Sequence, residues 1–245
     1  MHPPETVLMR TKLAFGIGAS GEAGTLWMFN ALTFFFYNQI LGLPADFAGM
    51  AVFIAIVFDA ITDPVMGSIS DRFRSKYGRR HPFMFAAPGP ILIALFFIFN
   101  PPDTVETDFQ LFAWYTFFTV ILRSSLTLFT VPHLALGAEL SDDYDERSKV
   151  MSYNTLFGDV GVVFMHVFVW FFIFDKFEGG QRNIDAYTPI VIYASVLIAF
   201  CILASAWFTK DQIPFLKKPP DDGERIGFVR LIKDMVGAIS NKNYL

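Results

Sequence analysis

The chain has 245 residues, of which 53% are hydrophobic and only 17% charged, with a formal net charge of −4. Its apolar residues run in blocks too long for the buried helices of a water-soluble domain, so lipid is the solvent for most of the chain. The acidic balance, with basic residues in short loops instead of on one face, excludes a nucleic-acid-binding face. The lone Cys201 sits in an apolar run and offers neither a disulfide framework nor a thiolate metal site.

Met1 to Lys12 is polar and short, and the Gly-rich stretch that follows is unlike a cleaved signal peptide, so the first span is expected to stay in the mature protein. A spanning helix needs roughly 20 mostly apolar residues. On that measure spans are predicted at Leu13–Leu41, Phe47–Ser70, Phe83–Pro101, Phe109–Leu140, Met151–Phe174 and Pro189–Thr209. With the N-terminus placed in the cytoplasm, the inner segments hold Arg10, Lys12, Arg72, Arg74, Lys76, Arg79, Arg80, Arg147, Lys149 and the basic residues of the tail. The outer loops hold only Lys176 and Arg182. That bias places both termini inside. After Thr209 the sequence turns hydrophilic through Pro214 and Lys217 to Asp222. Ile226, Val229, Ile232, Met235 and Val236 then fall at helical spacing, which predicts a cytoplasmic amphipathic helix.

Several ionisable residues fall inside these spans, where a charge costs at least about 2.5–3.5 kcal/mol and normally faces a cavity or a partner. Glu22 lies in the run Gly16 to Gly24 of the first helix, whose glycines suit close helix packing. It is about ten residues, or roughly 15 Å of helix rise, from the inner end. Asp59 and Asp63 are spaced i, i+4 on the second helix and so project from one face. Two like charges there repel unless a cation, a proton or a basic side chain lies between them. A structural ion pair with another helix and a coupling-cation site both satisfy that requirement. Pro64 follows at once and withholds a backbone donor. On the fourth helix Arg123 is too deep to snorkel and has Asp59, Asp63, Glu22 and Asp159 as candidate partners. Thr127 and Thr130 add hydroxyls, although a lone intramembrane threonine usually bonds within its own helix. His133 and His166 lack paired metal-ligand spacing. No nucleophile motif or phosphate loop appears, so the sequence gives enzymatic chemistry no support.

The segment Gly67-Ser68-Ile69-Ser70-Asp71-Arg72, followed by Gly78-Arg79-Arg80, resembles the loop between helices 2 and 3 of the major facilitator superfamily. The longer string from Asp59 through Asp63-Pro64 to Pro82 resembles the glycoside-pentoside-hexuronide:cation symporter family. Lys12-Leu13 with Gly16 and Gly18, and Pro132 to Glu139 followed by Glu146-Arg147, extend the likeness over essentially the whole chain. The resemblance implies an all-α membrane protein whose six transmembrane helices form the N-terminal half, a 3+3 inverted repeat, of a major facilitator fold. Its parts are a cytoplasmic N-terminus (1–12), the bundle (13–209) and a central loop (210–245), truncated before a second six-helix half.

The resemblance further implies symport of a sugar, glycoside or related polar solute coupled to Na+ or H+, with no cofactor, across a cell inner membrane. Asp59 and Asp63 match the family's cation-binding carboxylates, Thr127 a hydroxyl that assists them, and Thr62 the place of an asparagine. Gly67, Asp71, Arg72, Gly78, Arg79 and Arg80 match the gating loop. Glu22, Arg123, Thr130 and Asp159 are the candidates for contacting the solute. The family's sugar-holding aspartates align with Ala23 and Thr130, and a helix 5 arginine with Thr155, which argues against galactosides. Two other readings remain: lysophospholipid-type transport within the same family, and a six-helix scaffold that transports nothing.

Overall fold

A computed structural model describes residues 6–216 of the chain. The amphipathic helix expected over Ile226–Val236 lies outside the described residues. Among those residues every regular element is helical. The long helices are α1, Met9–Met28 continuing through π turns Phe29–Thr33 and Phe36–Ile40; α2, Ala45–Arg72; α3, His81–Phe99, broken at Ala87; α4, Asp108–Glu139; α5, Tyr144–Val167 with a π turn Phe168–Ile173; and α6, Tyr187–Thr209.

All six predicted spans are therefore helices. Five, α2 to α6, are long and apolar enough to cross a membrane; α1, with its glycines, Ser20, Glu22, Asn30 and Asn38, is not among them. Polar ends carry several helices past the apolar blocks. Thr107 and Gln110 form a capping box that starts α4, with Gln110 N donating to Thr107 Oγ1 at 3.2 Å and Thr107 N to Gln110 Oε1 at 3.1 Å. Asp143 accepts from Glu146 N at 2.8 Å and starts α5 inside what the hydropathy pattern gives as a loop.

The lowered apolarity of α1 follows from where it sits. It packs along α5 and α6 and touches α4, while α2 packs on α4, and α3 on α4 and α6. Its small residues let two helices approach to backbone contact. A Cβ added at Gly161 of α5 would lie 2.7 Å from Ser20 Cα and 2.9 Å from the Ser20 carbonyl oxygen, and one at Gly16 would lie 2.7 Å from the Phe157 ring. Ser20 Oγ crosses the same seam to donate to the Phe157 carbonyl at 2.6 Å. Because the obstruction at Gly161 is backbone, Gly161→Ala is expected to destabilise the bundle by about 1–3 kcal/mol through overpacking. A thermal unfolding midpoint in detergent equal to the parent's would show that the seam has room.

One end of the bundle is closed by aromatic rings. Tyr37 stacks on Tyr115 at 3.9 Å and donates to the Ile98 carbonyl at 2.7 Å, and Phe36, Phe99, Phe174 and Tyr187 fill the space beside them. The other end holds the starts of α1, α3 and α5 and the ends of α2, α4 and α6, and is charged. Between the two ends, α1, α2 and α4 surround a polar cavity.

Candidate functional site

Helical geometry puts Asp59 and Asp63 one turn apart on α2, which runs unbroken through Pro64. The ring of Pro64 has no N–H to offer the Ala60 carbonyl. α4 lies against α2 and supplies the facing row Arg123, Thr127 and Thr130, again one turn apart, while α1 supplies Glu22. Glu22, Asp59, Asp63, Arg123, Thr127 and Thr130, with Leu26 and Leu126, line one cavity of about 100 Å³.

The two carboxylates have different partners. Arg123 donates from Nε to Asp59 Oδ2 at 2.7 Å and from Nη2 to the same oxygen, and its guanidinium carbon lies 5.6 Å from the centre of the Phe29 ring. Asp59 Oδ1 is buried without a hydrogen-bond partner. Asp63 accepts from Thr127 Oγ1 at 2.7 Å and, among the described residues, has no basic neighbour in an ion pair. The expectation that a threonine here bonds within its own helix holds only in part. Thr127 Oγ1 also lies 3.2 Å from the Arg123 carbonyl, but its shorter contact crosses to α2. Of the four acids open to Arg123 in the sequence, the fold selects Asp59.

Two candidates are not brought to the cavity. Thr62 is turned about 100° from Asp63 by the helical screw. It lines a neighbouring apolar depression with Val65, Met66, Ile69, Ile121 and Ser124, which shares only Thr127 with the polar cavity, and its hydroxyl has no partner among the described residues. Asp159 of α5 is exposed and does not line the cavity. His133 is sealed between the rings of Phe15 and Phe129, with Nε2 3.0 Å from the Phe15 carbonyl, and faces no second ligand.

The candidate gating residues gather at the charged end. Gly78, at φ 73°, turns the chain after α2 so that Arg79 and Arg80 fold back over its terminus. Arg80 Nη2 lies 2.6 Å from Glu139 Oε1 and 3.2 Å from Asp71 Oδ1, Arg79 also pairs with Glu139, and Arg79 Nη1 donates to the Asp71 carbonyl at 3.2 Å. The two arginine side chains are only 9% and 4% exposed, so this knot ties α2, α3 and α4 together. Gly67 sits where α2 passes Val131 of α4, and Arg72 closes α2. A second knot joins α1 to α5, with Lys12 Nζ 2.7 Å and Lys149 Nζ 2.8 Å from the Glu146 carboxylate and Val7 N donating to it at 3.2 Å.

A carboxylate pair thus faces an arginine and two hydroxyls within the bundle, apart from the knot of paired charges at its end. The model of the MFS/sugar transport protein family matches residues 14–245. The chain belongs to that family. Among its relatives, the inner membrane symporter YicJ of Escherichia coli is 27% identical over 210 residues, 85% of this chain and 44% of its own length. The putative glycoside/cation symporter YagG of the same organism is 29% identical over 154 residues, 62% and 33% of the two chains. A sodium-dependent lysophosphatidylcholine symporter of Gallus gallus is 26% identical over 160 residues, 65% and 30%. The chain thus spans less than half the length of these relatives.

In this member of the MFS/sugar transport family the structure also gives partners to two acids that the sequence marks only within its family resemblance. Glu139 anchors Arg79 and Arg80, and Glu146 gathers two lysines and a backbone donor. Beyond that resemblance, their signal in sequence is an acid at the boundary of an apolar block, beside a loop rich in arginine or lysine.

Proposed function

We propose that this chain forms one six-helix half of a secondary transporter that moves a glycoside or related polar organic solute together with Na+ or H+. Alternating access would come from rocking against a second six-helix half, with helices related as a 3+3 inverted repeat. The observation that carries this reading is the charge imbalance of the cavity. Arg123 neutralises Asp59, but Asp63 is accompanied only by a hydroxyl, and Glu22 shares the same space. Uncompensated carboxylates at this depth call for a visiting cation or proton. Asp63 and the free oxygen of Asp59, with the Thr127 hydroxyl, are oxygen donors of the kind a hard cation takes.

The knot of Asp71, Arg79, Arg80 and Glu139 would act as the inner gate, forming and breaking as the halves move. The distribution of basic residues supports both termini in the cytoplasm of a cell whose inner membrane holds the protein. One second reading has specific support: a relative named as a lysophosphatidylcholine symporter, together with a cavity that holds Thr130 where one sugar-holding acid of the resembled family aligns and has no residue from the position of the other, Ala23, in its lining.

Proteoliposomes carrying the natural full-length protein test both. Accumulation of labelled glycosides driven by an imposed Na+ or pH gradient is the expected result, and accumulation of lysophosphatidylcholine alone would replace it with the second reading. Gradient-independent equilibration, or no uptake of any solute, would end the coupled-transport reading and favour a scaffold.

A further inference from the structure

Arg123 occupies a position that a resident counter-ion alone does not need. Its guanidinium is held on one oxygen of Asp59, Oδ2, while Oδ1 of the same carboxylate stays buried and unbonded. Guanidinium carries five N–H donors in a planar fork. Two are spent on Asp59, no other acceptor meets the rest among the described residues, and the side chain remains 23% exposed in a cavity. The Phe29 ring beside it offers a second seat that would hold the cation without consuming its donors.

A small cation drawn to Asp63 would find Asp59 Oδ1 as its next oxygen, one helical turn away, and would then compete with Arg123 for the electron density of a single carboxylate. We propose that Arg123 is a tethered competitor of the coupling cation: Na+ arriving between Asp59 and Asp63 releases the guanidinium, and the freed fork takes an oxyanion of the solute. The solute class is then one bearing a carboxylate or a phosphate, both of which match the fork bidentately. This rests on the coupled-transport reading above and sharpens its substrate from a polar solute to an anionic one.

The charge balance agrees. With the three carboxylates ionised, Glu22, Asp59 and Asp63 against Arg123 give the empty cavity a formal charge of −2. One Na+ makes it −1, and an oxyanion with one negative charge restores −2. The empty and fully loaded cavities therefore carry the same charge, and the half-loaded ones do not.

The test uses the natural full-length protein in proteoliposomes, with ²²Na+ binding and uptake of three probes: glucuronate, neutral methyl β-glucoside, and lysophosphatidate. In the parent, Na+ and the preferred oxyanion are expected to raise each other's affinity at least tenfold, by the reciprocity of linked binding. Arg123→Gln is expected to bind Na+ at least tenfold more tightly, since the competitor is gone, while oxyanion uptake falls at least a hundredfold. Arg123→Lys, which keeps the charge but not the fork, should retain weak Na+ competition and lose about tenfold in oxyanion affinity, and serves if the glutamine variant fails to reach the membrane. Preference for lysophosphatidate with the same Arg123 dependence upholds the chemistry and places the oxyanion on a lipid. If Arg123→Gln weakens Na+ and solute together, Arg123 is a structural pair and the inference is overturned. Equal Na+-driven uptake of methyl β-glucoside by parent and Arg123→Gln overturns it while leaving coupled transport intact, as does proton-driven uptake with no Na+ dependence. Absence of any gradient-driven uptake in the parent removes the coupled-transport reading itself.

Discussion

Asp63→Asn is expected to reduce gradient-driven accumulation at least a hundredfold while the protein still inserts, folds and equilibrates solute slowly. Asp63 is the carboxylate of the pair that Arg123 does not hold, so under the proposed coupling its charge is the one left for a mobile cation. Asparagine keeps an oxygen to accept from Thr127 at the same reach and removes only the charge, so the packing of α2 on α4 should survive. A loss of a hundredfold corresponds to about 2.7 kcal/mol of coupling, within the range seen where one site controls another. The measurement is the steady-state ratio of inside to outside solute under an imposed gradient, set beside the unfolding midpoint. Accumulation at the parent's level would show that the cation binds elsewhere. A collapse of the midpoint would instead make Asp63 a structural residue.

The helices were legible in the sequence because lipid imposes a length on every apolar block, and all six blocks are helical in the structure. What the blocks do not carry is how far each helix runs into water, since that depends on caps such as Thr107 and Asp143. Nor does periodicity announce the π turns in α1 or the break of α3 at Ala87, although Pro88 and Pro90 mark the region of the break. At the site, spacing alone put Asp59 and Asp63 on one face. The partner of each was not readable, because four acids could meet Arg123 and only the register of α2 against α4 chooses among them. Thr62 belongs to the same motif string as the two aspartates, but adjacency in a string is not adjacency on a helix, and the screw carries it to another face. Asp159 differs for a related reason: depth in a span does not say which way a residue points, and this one is exposed and not among the residues lining the cavity.

Asp59→Asn should differ from Asp63→Asn in kind, because it strands a guanidinium. The ion pair is 14% exposed on the aspartate and 23% on the arginine, so removal of the carboxylate leaves a mostly buried cation with a neutral amide. Breaking a fully buried pair costs about 3–5 kcal/mol; the residual exposure reduces this to roughly 2–4 kcal/mol. Arg123→Gln in the same chain should recover more than half of the loss, since the stranded charge is then gone and two amides remain to bond each other. The quantity that decides is the interaction energy from the four-variant cycle in detergent, expected to be at least about 1.5 kcal/mol for groups in direct contact. Additive losses would mean that Arg123 simply moves to Asp63 or Glu22 when Asp59 is neutral. In that event Asp59→Asn with Asp63→Asn should be far worse than the sum of the two, since it removes both the tether and its nearest replacement.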